Sequence, residues 1–272
     1  MEEFMRSFKS LRNVDLYLET VSTSLIFQDD LCLYLANEKY PVPSSYLKLF
    51  LRKYFDLLLL RNSEIHEKLL ELYLNVENRV YIGHRTFYLD TYLVITVQQS
   101  DSLISGGNTG LSVWDSSIEQ SKFILRNTEQ FMKKKILELG SGLGLAGMTA
   151  CFYSENVTLT DMNPIVLNFL RNNLLINELN GKVEEFDWDF PSETILDTEW
   201  DILLGSDLLY SENVVNSLLE IIRKLKFGVF IISFVVRRDD TVKLFFDGLE
   251  SCDIQATFIY EDNKVQTWKL TK

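Results

Sequence analysis

The hydrophobic pattern of the 272-residue chain changes character twice. Up to about residue 76 the apolar positions have helical spacing. Tyr46, Leu47, Phe50, Leu51, Tyr54 and Leu58 form one amphipathic stripe, and Leu69, Leu70, Tyr73 and Leu74 start a second. From Arg79 to Val97 the pattern turns to β: Val80, Ile82, Tyr88 and the run from Tyr92 to Val97 predict a hairpin. From there to about residue 250, short apolar runs alternate with helical stretches, which predicts a mostly parallel sheet with crossover helices. The end differs again. Ile254 to Tyr260, a turn at Glu261-Asp262-Asn263, and Val265 to Leu270 read as an antiparallel hairpin. The chain thus divides into a helical extension over 1–78, a β-hairpin connector over 79–105 and an α/β domain over 106–272. No internal repeat or low-complexity segment interrupts it.

Within the α/β domain, residues 136–147 read Ile-Leu-Glu-Leu-Gly-Ser-Gly-Leu-Gly-Leu-Ala-Gly. An apolar strand carries Glu138 near its end, and a turn rich in glycine (Gly140, Gly142, Gly144) leads into a helix. Glycine permits positive φ and close approach of a ligand to the backbone. A helix start adds free N–H groups. Gly142 to Gly147 also matches the dinucleotide pattern G-x-G-x-x-G, and a plain strand–helix connection can look similar. Val157 to Asp161 is a short strand ending in a carboxylate, and Asp161 suits the hydroxyls of a ribose. That supports an adenosine ligand without choosing its kind. Asn163-Pro164 starts the next helix, with Ile165, Leu167, Leu170, Leu174 and Leu175 as its apolar stripe. A strand from Val183 exits through Asp187-Trp188. Another, from Trp200, exits through Ser206-Asp207-Leu208-Leu209-Tyr210, where Asp207 is placed to act in a site or to cap the following helix.

The run Glu138-Leu-Gly-Ser-Gly-Leu-Gly144 resembles motif I of the class I S-adenosylmethionine-dependent methyltransferases. The D-x-x-Y element from Asp207 to Tyr210 resembles the signature of the family-16 protein-lysine methyltransferases. Gly110 and Trp114 match that family's G-x-x-x-W element, which precedes a helix over about 115–127. Trp114-Asp115, the run from Phe186 to Asp189 and Phe234-Val235-Val236-Arg237, following an apolar strand at Val229 to Ile232, resemble the elongation factor 2 branch. The resemblance is specific over roughly residues 105–240 and loose before them. It implies a seven-stranded Rossmann-like methyltransferase sheet with S-adenosylmethionine as cofactor. Trp114, Glu138, Gly140, Ser141, Gly142, Gly144, Asp161, Asp187, Trp188 and Ser206 would bind it. Asp207 would position the target amine and Tyr210 would wall its channel.

Composition narrows the classes. Asp and Glu outnumber Lys and Arg by 39 to 27, and residues 106–272 carry −9 of the net −12. An acidic surface weighs against nucleic acid and favours a basic protein surface. The Lys133-Lys134-Lys135 run reads as a solvated loop. Cys32, Cys151 and Cys252 are widely spaced, as expected of buried thiols in a reducing compartment. Two histidines, His66 and His84, argue against a His-based metal site or triad. No apolar run is long enough for a membrane span, and the acidic start is unlike a signal peptide. The expectation is a cytoplasmic, monomeric protein-lysine N-methyltransferase without a metal, acting on elongation factor 2. The alternatives are a methyltransferase for another protein or a small molecule, a non-catalytic binding module, and a nicotinamide-dependent oxidoreductase. Glu138, Asp187-Trp188 and the terminal hairpin speak against the last. The loop over 102–109 is expected to line the cofactor entrance.

Overall fold

The computed structural model describes residues 1–76, 82–100 and 110–272. Two compact units emerge, Met1–Thr109 and Gly110–Lys272.

Four helices open the first unit: α1 (Glu2–Lys9), α2 (Leu25–Asn37), α3 (Ser44–Leu60) and α4 (Glu67–Asn75). Leu47, Phe50, Leu51, Tyr54 and Leu58 of α3 are buried as their spacing predicts. Phe4 and Phe8 of α1 pack on Phe50, which stacks on Tyr54 at 5.6 Å. The second stripe is narrower than expected. Leu69 is buried, but Leu70 and Leu74 are exposed, because α4 meets α2 and α3 along one line only. The hairpin is formed by β1 (Ile82–Tyr88) and β2 (Val94–Ser100) and belongs to this unit. Its second strand starts later than predicted. The Asp90 carboxylate accepts the N–H groups of Tyr92 and Leu93 and makes them part of the turn, with Tyr92 fully exposed. Arg79, Val80 and the loop over 102–109 lie outside the described residues.

The second unit is built on a seven-stranded sheet. Its strands are β3 (Ile136–Leu139), β4 (Val157–Asp161), β5 (Lys182–Glu185), β6 (Glu199–Ser206), β7 (Lys226–Val235), β8 (Gln255–Asp262) and β9 (Val265–Thr271). They lie in the order β5-β4-β3-β6-β7-β9-β8. The first five are parallel, and the β8–β9 hairpin closes the sheet antiparallel against β7. This is the predicted seven-stranded, mostly parallel α/β sheet. One boundary moves: β7 runs through Val235, which pairs with Val265 of β9, so Phe234 and Val235 are strand residues. Only Val236 and Arg237 of the F-x-V-R run lie in the exit.

The connecting helices are α5 (Asp115–Arg126), α6 (Thr128–Phe131), α7 (Leu145–Cys151), α8 (Pro164–Ile176), α9 (Glu193–Asp197), α10 (Glu212–Lys224) and α11 (Asp239–Glu250). Their starts follow from local chemistry. Asn163 Oδ1 accepts the Ile165 N–H at 2.9 Å, with Pro164 at the first helical position. Ser211 Oγ caps α10 by accepting the Val214 N–H at 3.4 Å. In α8 the inward arc is Val166, Leu167, Leu170 and Leu174, and the helical turn carries Ile165 and Leu175 out of it, both exposed.

Successive β3 side chains point to opposite faces of the sheet. Leu137 and Leu139 join the core made with Leu203, Phe230, Ile232 and the α10 residues Leu218 and Ile222. Glu138 turns toward α7, where its Oε2 would lie 2.3 Å from a Cβ on Gly147. The neighbours of β3 are β4 on one side and β6 on the other. The chain thus departs to one side of β3 and returns to the other. Such a switch point leaves a crevice at the carboxyl ends of the strands, where open α/β sheets bind ligands.

Candidate active site

The turn between β3 and α7 takes a left-handed conformation at three glycines, Gly140, Gly142 and Gly144, with φ of 59°, 54° and 86°. Space excludes side chains at two of them. A Cβ on Gly144 would stand 2.2 Å from Leu170 Cδ1, and one on Gly140 would stand 2.8 Å from Leu208 Cδ2. The turn is laced to β4. Ser141 N–H donates to the Thr160 carbonyl at 2.7 Å, and Ser141 Oγ accepts the Thr160 N–H at 2.9 Å. Asp161 Oδ2 accepts the Gly142 N–H at 3.2 Å, and its Oδ1 accepts the Asn163 N–H at 3.0 Å. The Asp161 side chain is therefore held at the strand tip from both sides. Burial holds its carboxyl above the ordinary value.

Glu138 is 1% exposed, and neither carboxylate oxygen makes a hydrogen bond of good geometry among the described residues. Burial pushes it up to about 7, and the Asp161 charge adds to the rise. The Ser141 hydroxyl and the Gly147 N–H only moderate it. Two buried polar atoms of α5, Ser116 Oγ and Gln120 Oε1, are likewise without a partner among the described residues. Helix α5 and Gly147 of α7 cover the same face of the sheet. Buried polar atoms of this kind are rare in native proteins unless something else satisfies them.

The strand exits bring in the remaining predicted residues. A Cβ on Gly140 would lie 3.7 Å from the Trp188 ring, so the exit of β5 reaches the glycine turn. Asp187 Oδ1 accepts the Asp189 N–H at 2.9 Å and turns the chain there, apart from the bonds that lace the turn to β4. Ser206 ends β6 opposite Ser233. Asp207 follows at φ 57°, with its N–H on the Ser233 carbonyl at 2.8 Å. Its carboxylate does not cap α10, since Ser211 does. Instead Asp207 Oδ2 accepts from Arg237 Nη2 at 2.7 Å, and the same guanidinium lies 5.1 Å from the centre of the Trp114 ring. Tyr210 is half exposed. Burial and the Asp161 charge raise its hydroxyl above the ordinary value, so the phenol stays protonated at neutral pH.

Two features escaped the sequence reading. Gln120 Nε2 donates to the carbonyls of Gly205 and Ile231, both at 2.9 Å, and ties the end of β6 to the middle of β7. A Gln on an amphipathic helix carries no sequence signal for this. The Arg237–Asp207 pair is the second. Arg237 was marked by its motif, but nothing in the spacing named its partner. A polar cavity of about 300 Å³ lies at the opposite, amino-terminal edge of the sheet, near Lys135, Thr158, Lys182 and Trp200. It contains none of the predicted site residues.

The family profile described as lysine methyltransferase matches residues 95–252, more than half of the chain. The chain belongs to the lysine methyltransferase family. It is similar to the human protein-lysine N-methyltransferase EEF2KMT, 28% identical over 232 residues, which is 74% of this chain and 70% of that protein. Its bovine counterpart is 27% identical over 83% of this chain and 79% of its own. A calmodulin-lysine N-methyltransferase of Arabidopsis thaliana is 29% identical over 60% of this chain and 57% of its own. Among solved structures, the T. Thermophilus 16S rRNA methyltransferase RsmC, in complex with AdoMet and guanosine, superposes with a TM-score of 0.55. It is 13% identical, covers 71% of this chain and 51% of its own, and so speaks for the fold.

Family membership makes this an S-adenosylmethionine-dependent methyltransferase and removes the nicotinamide reading. The residues present fit that cofactor. The glycine turn takes the left-handed conformation at three positions, the carboxylate of Asp161 stands fixed at a strand tip, and among the described residues Glu138, Ser116 and Gln120 keep buried polar atoms without a hydrogen-bond partner. No helix among the described residues is long and apolar enough to cross a membrane, and none of their His, Cys, Asp or Glu side chains group as metal ligands.

Proposed function

We propose that this protein is a protein-lysine N-methyltransferase whose substrate is translation elongation factor 2. The observation that carries the reading is the exit of β6. Asp207 and Tyr210 stand there in the same array of strand ends as the glycine turn and Asp161. The D-L-L-Y run supports the lysine reading, and the similarity to EEF2KMT proteins together with the F-V-V-R run supports the choice of substrate.

When bound, S-adenosylmethionine supplies a methyl group on sulfonium for in-line displacement by an amine. The chain's own residues provide position and protonation. Asp161 would accept the ribose hydroxyls. Glu138, Gly140, Ser141, Gly142 and Gly144 would hold the methionine end, and Asp187, Trp188, Trp114 and Ser206 the rest. Asp207 accepts an N–H of the target lysine and fixes its line of approach, where much of the rate of such a step arises. Tyr210, half exposed, forms the mouth of the channel. Entry of the lysine into this partly closed place favours its neutral, nucleophilic form. The acidity of residues 106–272 draws a basic surface toward it. The same reading gives a cytosolic monomer with three parts, the helical segment 1–78, the hairpin segment 79–105 and the methyltransferase domain 106–272.

Incubation of the purified chain with radiolabelled S-adenosylmethionine and an extract lacking the endogenous enzyme tests this. One labelled protein, identified by mass spectrometry as elongation factor 2 methylated on lysine, is the expected result. A different labelled protein overturns the substrate, and the match to a calmodulin-lysine N-methyltransferase makes that reading concrete. No label on any protein, with S-adenosylhomocysteine still bound, favours the non-catalytic module.

A further inference from the structure

We propose that Arg237 is a positioning residue that sets the protonation state of the amine delivered to Asp207. The inference rests on the lysine reading given above.

The Asp207 carboxylate is fixed before any substrate arrives. Its backbone is anchored to Ser233, and the next two residues, Leu208 and Leu209, are each 5% exposed. The Leu209 carbonyl accepts the Thr241 hydroxyl at 2.8 Å, which ties this exit to α11. Arg237 approaches Asp207 Oδ2 and lies against the Trp114 ring. The Asp207 side chain is 11% exposed and that of Arg237 is 43% exposed, so a largely enclosed carboxylate is covered from the outside by a guanidinium. The pair uses Oδ2, and among the described residues no side-chain hydrogen bond engages Oδ1, the oxygen placed to accept another donor.

A bare carboxylate is a poor partner for a nucleophilic amine. It favours the ammonium form, which has no lone pair to attack with. A guanidinium stays charged throughout the working range, so Arg237 cancels that preference and leaves the acceptor oxygen in place. An amine meeting the Asp207–Arg237 pair then gains a hydrogen bond and faces no net negative charge. Among the described residues the other ionisable groups on the elements that meet here include Asp239 and Asp240 in the first turn of α11. Asp161 and Tyr210 lie on the β4 and β6 exits, and Asp115 lies beside Trp114. Arg238 is bonded to Asp240 and lies 3.6 Å from Glu212, so it is engaged away from Asp207. Among the described residues Arg237 is thus the cation paired with the carboxylate.

The test compares wild type, Arg237→Gln and Arg237→Lys on unmodified elongation factor 2, with kcat measured from pH 6 to pH 10. S-Adenosylhomocysteine affinity and the melting transition are read alongside. In Arg237→Gln the rising limb of the kcat profile moves up by about one pH unit. Its rate is then about tenfold lower near neutrality and recovers in alkali. Arg237→Lys restores the limb toward wild type, and both variants bind S-adenosylhomocysteine and melt as wild type does. A loss of the same factor at every pH overturns the proposal and leaves Arg237 a structural strut. A gain in kcat at every pH overturns it in favour of an ion pair that obstructs the lysine. Failure of the wild type to methylate lysine overturns both this inference and the function it rests on, whereas an active wild type with parallel profiles overturns this inference alone.

Discussion

Asp161 Oδ2 accepts the backbone N–H of Gly142 across the gap between β4 and the glycine turn. One carboxylate therefore shapes the turn and also presents the oxygens that a ribose would meet. We expect Asp161→Ala to weaken S-adenosylhomocysteine binding by about 10–100-fold, the equivalent of losing charged hydrogen bonds worth roughly 1.5–3 kcal/mol. Isothermal titration calorimetry measures this. Unchanged affinity would remove Asp161 from the binding site.

Glu138 makes stability depend on pH in the absence of cofactor. Its folded carboxyl is raised to about 7 from an ordinary 4.5, so the folded state holds the proton more tightly than the unfolded one. That contribution is complete at low pH and is lost as pH rises from about 4.5 through about 7. Glu138→Gln keeps the shape and removes the titration. We expect its melting temperature to exceed that of ligand-free wild type by at least about 2 °C above pH 7, with the gap closing toward pH 5. The same change should weaken S-adenosylhomocysteine binding. A difference independent of pH would show that Glu138 is not buried uncompensated.

The glycines of the turn are not equivalent. A Cβ on Gly144 meets Leu170 at 2.2 Å, whereas among the described residues one on Gly142 meets nothing nearer than the Gly110 carbonyl at 3.4 Å. Both positions have positive φ, which costs an alanine about 1 kcal/mol. We expect Gly144→Ala to lose about 2–4 kcal/mol in urea unfolding and Gly142→Ala about half of that. Equal losses would mean that backbone conformation alone decides.

Much of this site could be read from the chain because each part is local. Gly140 to Gly144, Asp161 and Asp207 announce themselves at strand ends, where a few adjacent residues determine the backbone. The misplaced positions depend on distant partners. Val235 belongs to β7 because β9, thirty residues later, pairs with it. Ile165, Leu175, Leu70 and Leu74 are apolar and have helical spacing, yet they are exposed, because among the described residues of their own unit the packed neighbours lie on the other side of the helix. The buried polar side of α5 (Ser116, Gln120, Ser121) runs against the expectation that polar helix residues face water. Its bonds to the carbonyls of β6 and β7 exist only in the assembled sheet. The Arg237–Asp207 pair spans thirty residues in the same way.

The most direct test is the effect of Asp207→Asn on turnover and on cofactor binding. Asn tolerates the positive φ at this position better than Ala and keeps the size of the side chain, and with its one amide oxygen held by Arg237 it presents an N–H donor to the target amine in place of an acceptor. We expect lysine methylation to fall by at least about 100-fold, with S-adenosylhomocysteine affinity within about twofold of wild type. Near-normal turnover would contradict the placement of the target amine at Asp207, and with it the reading of the β6 exit as the site of methyl transfer.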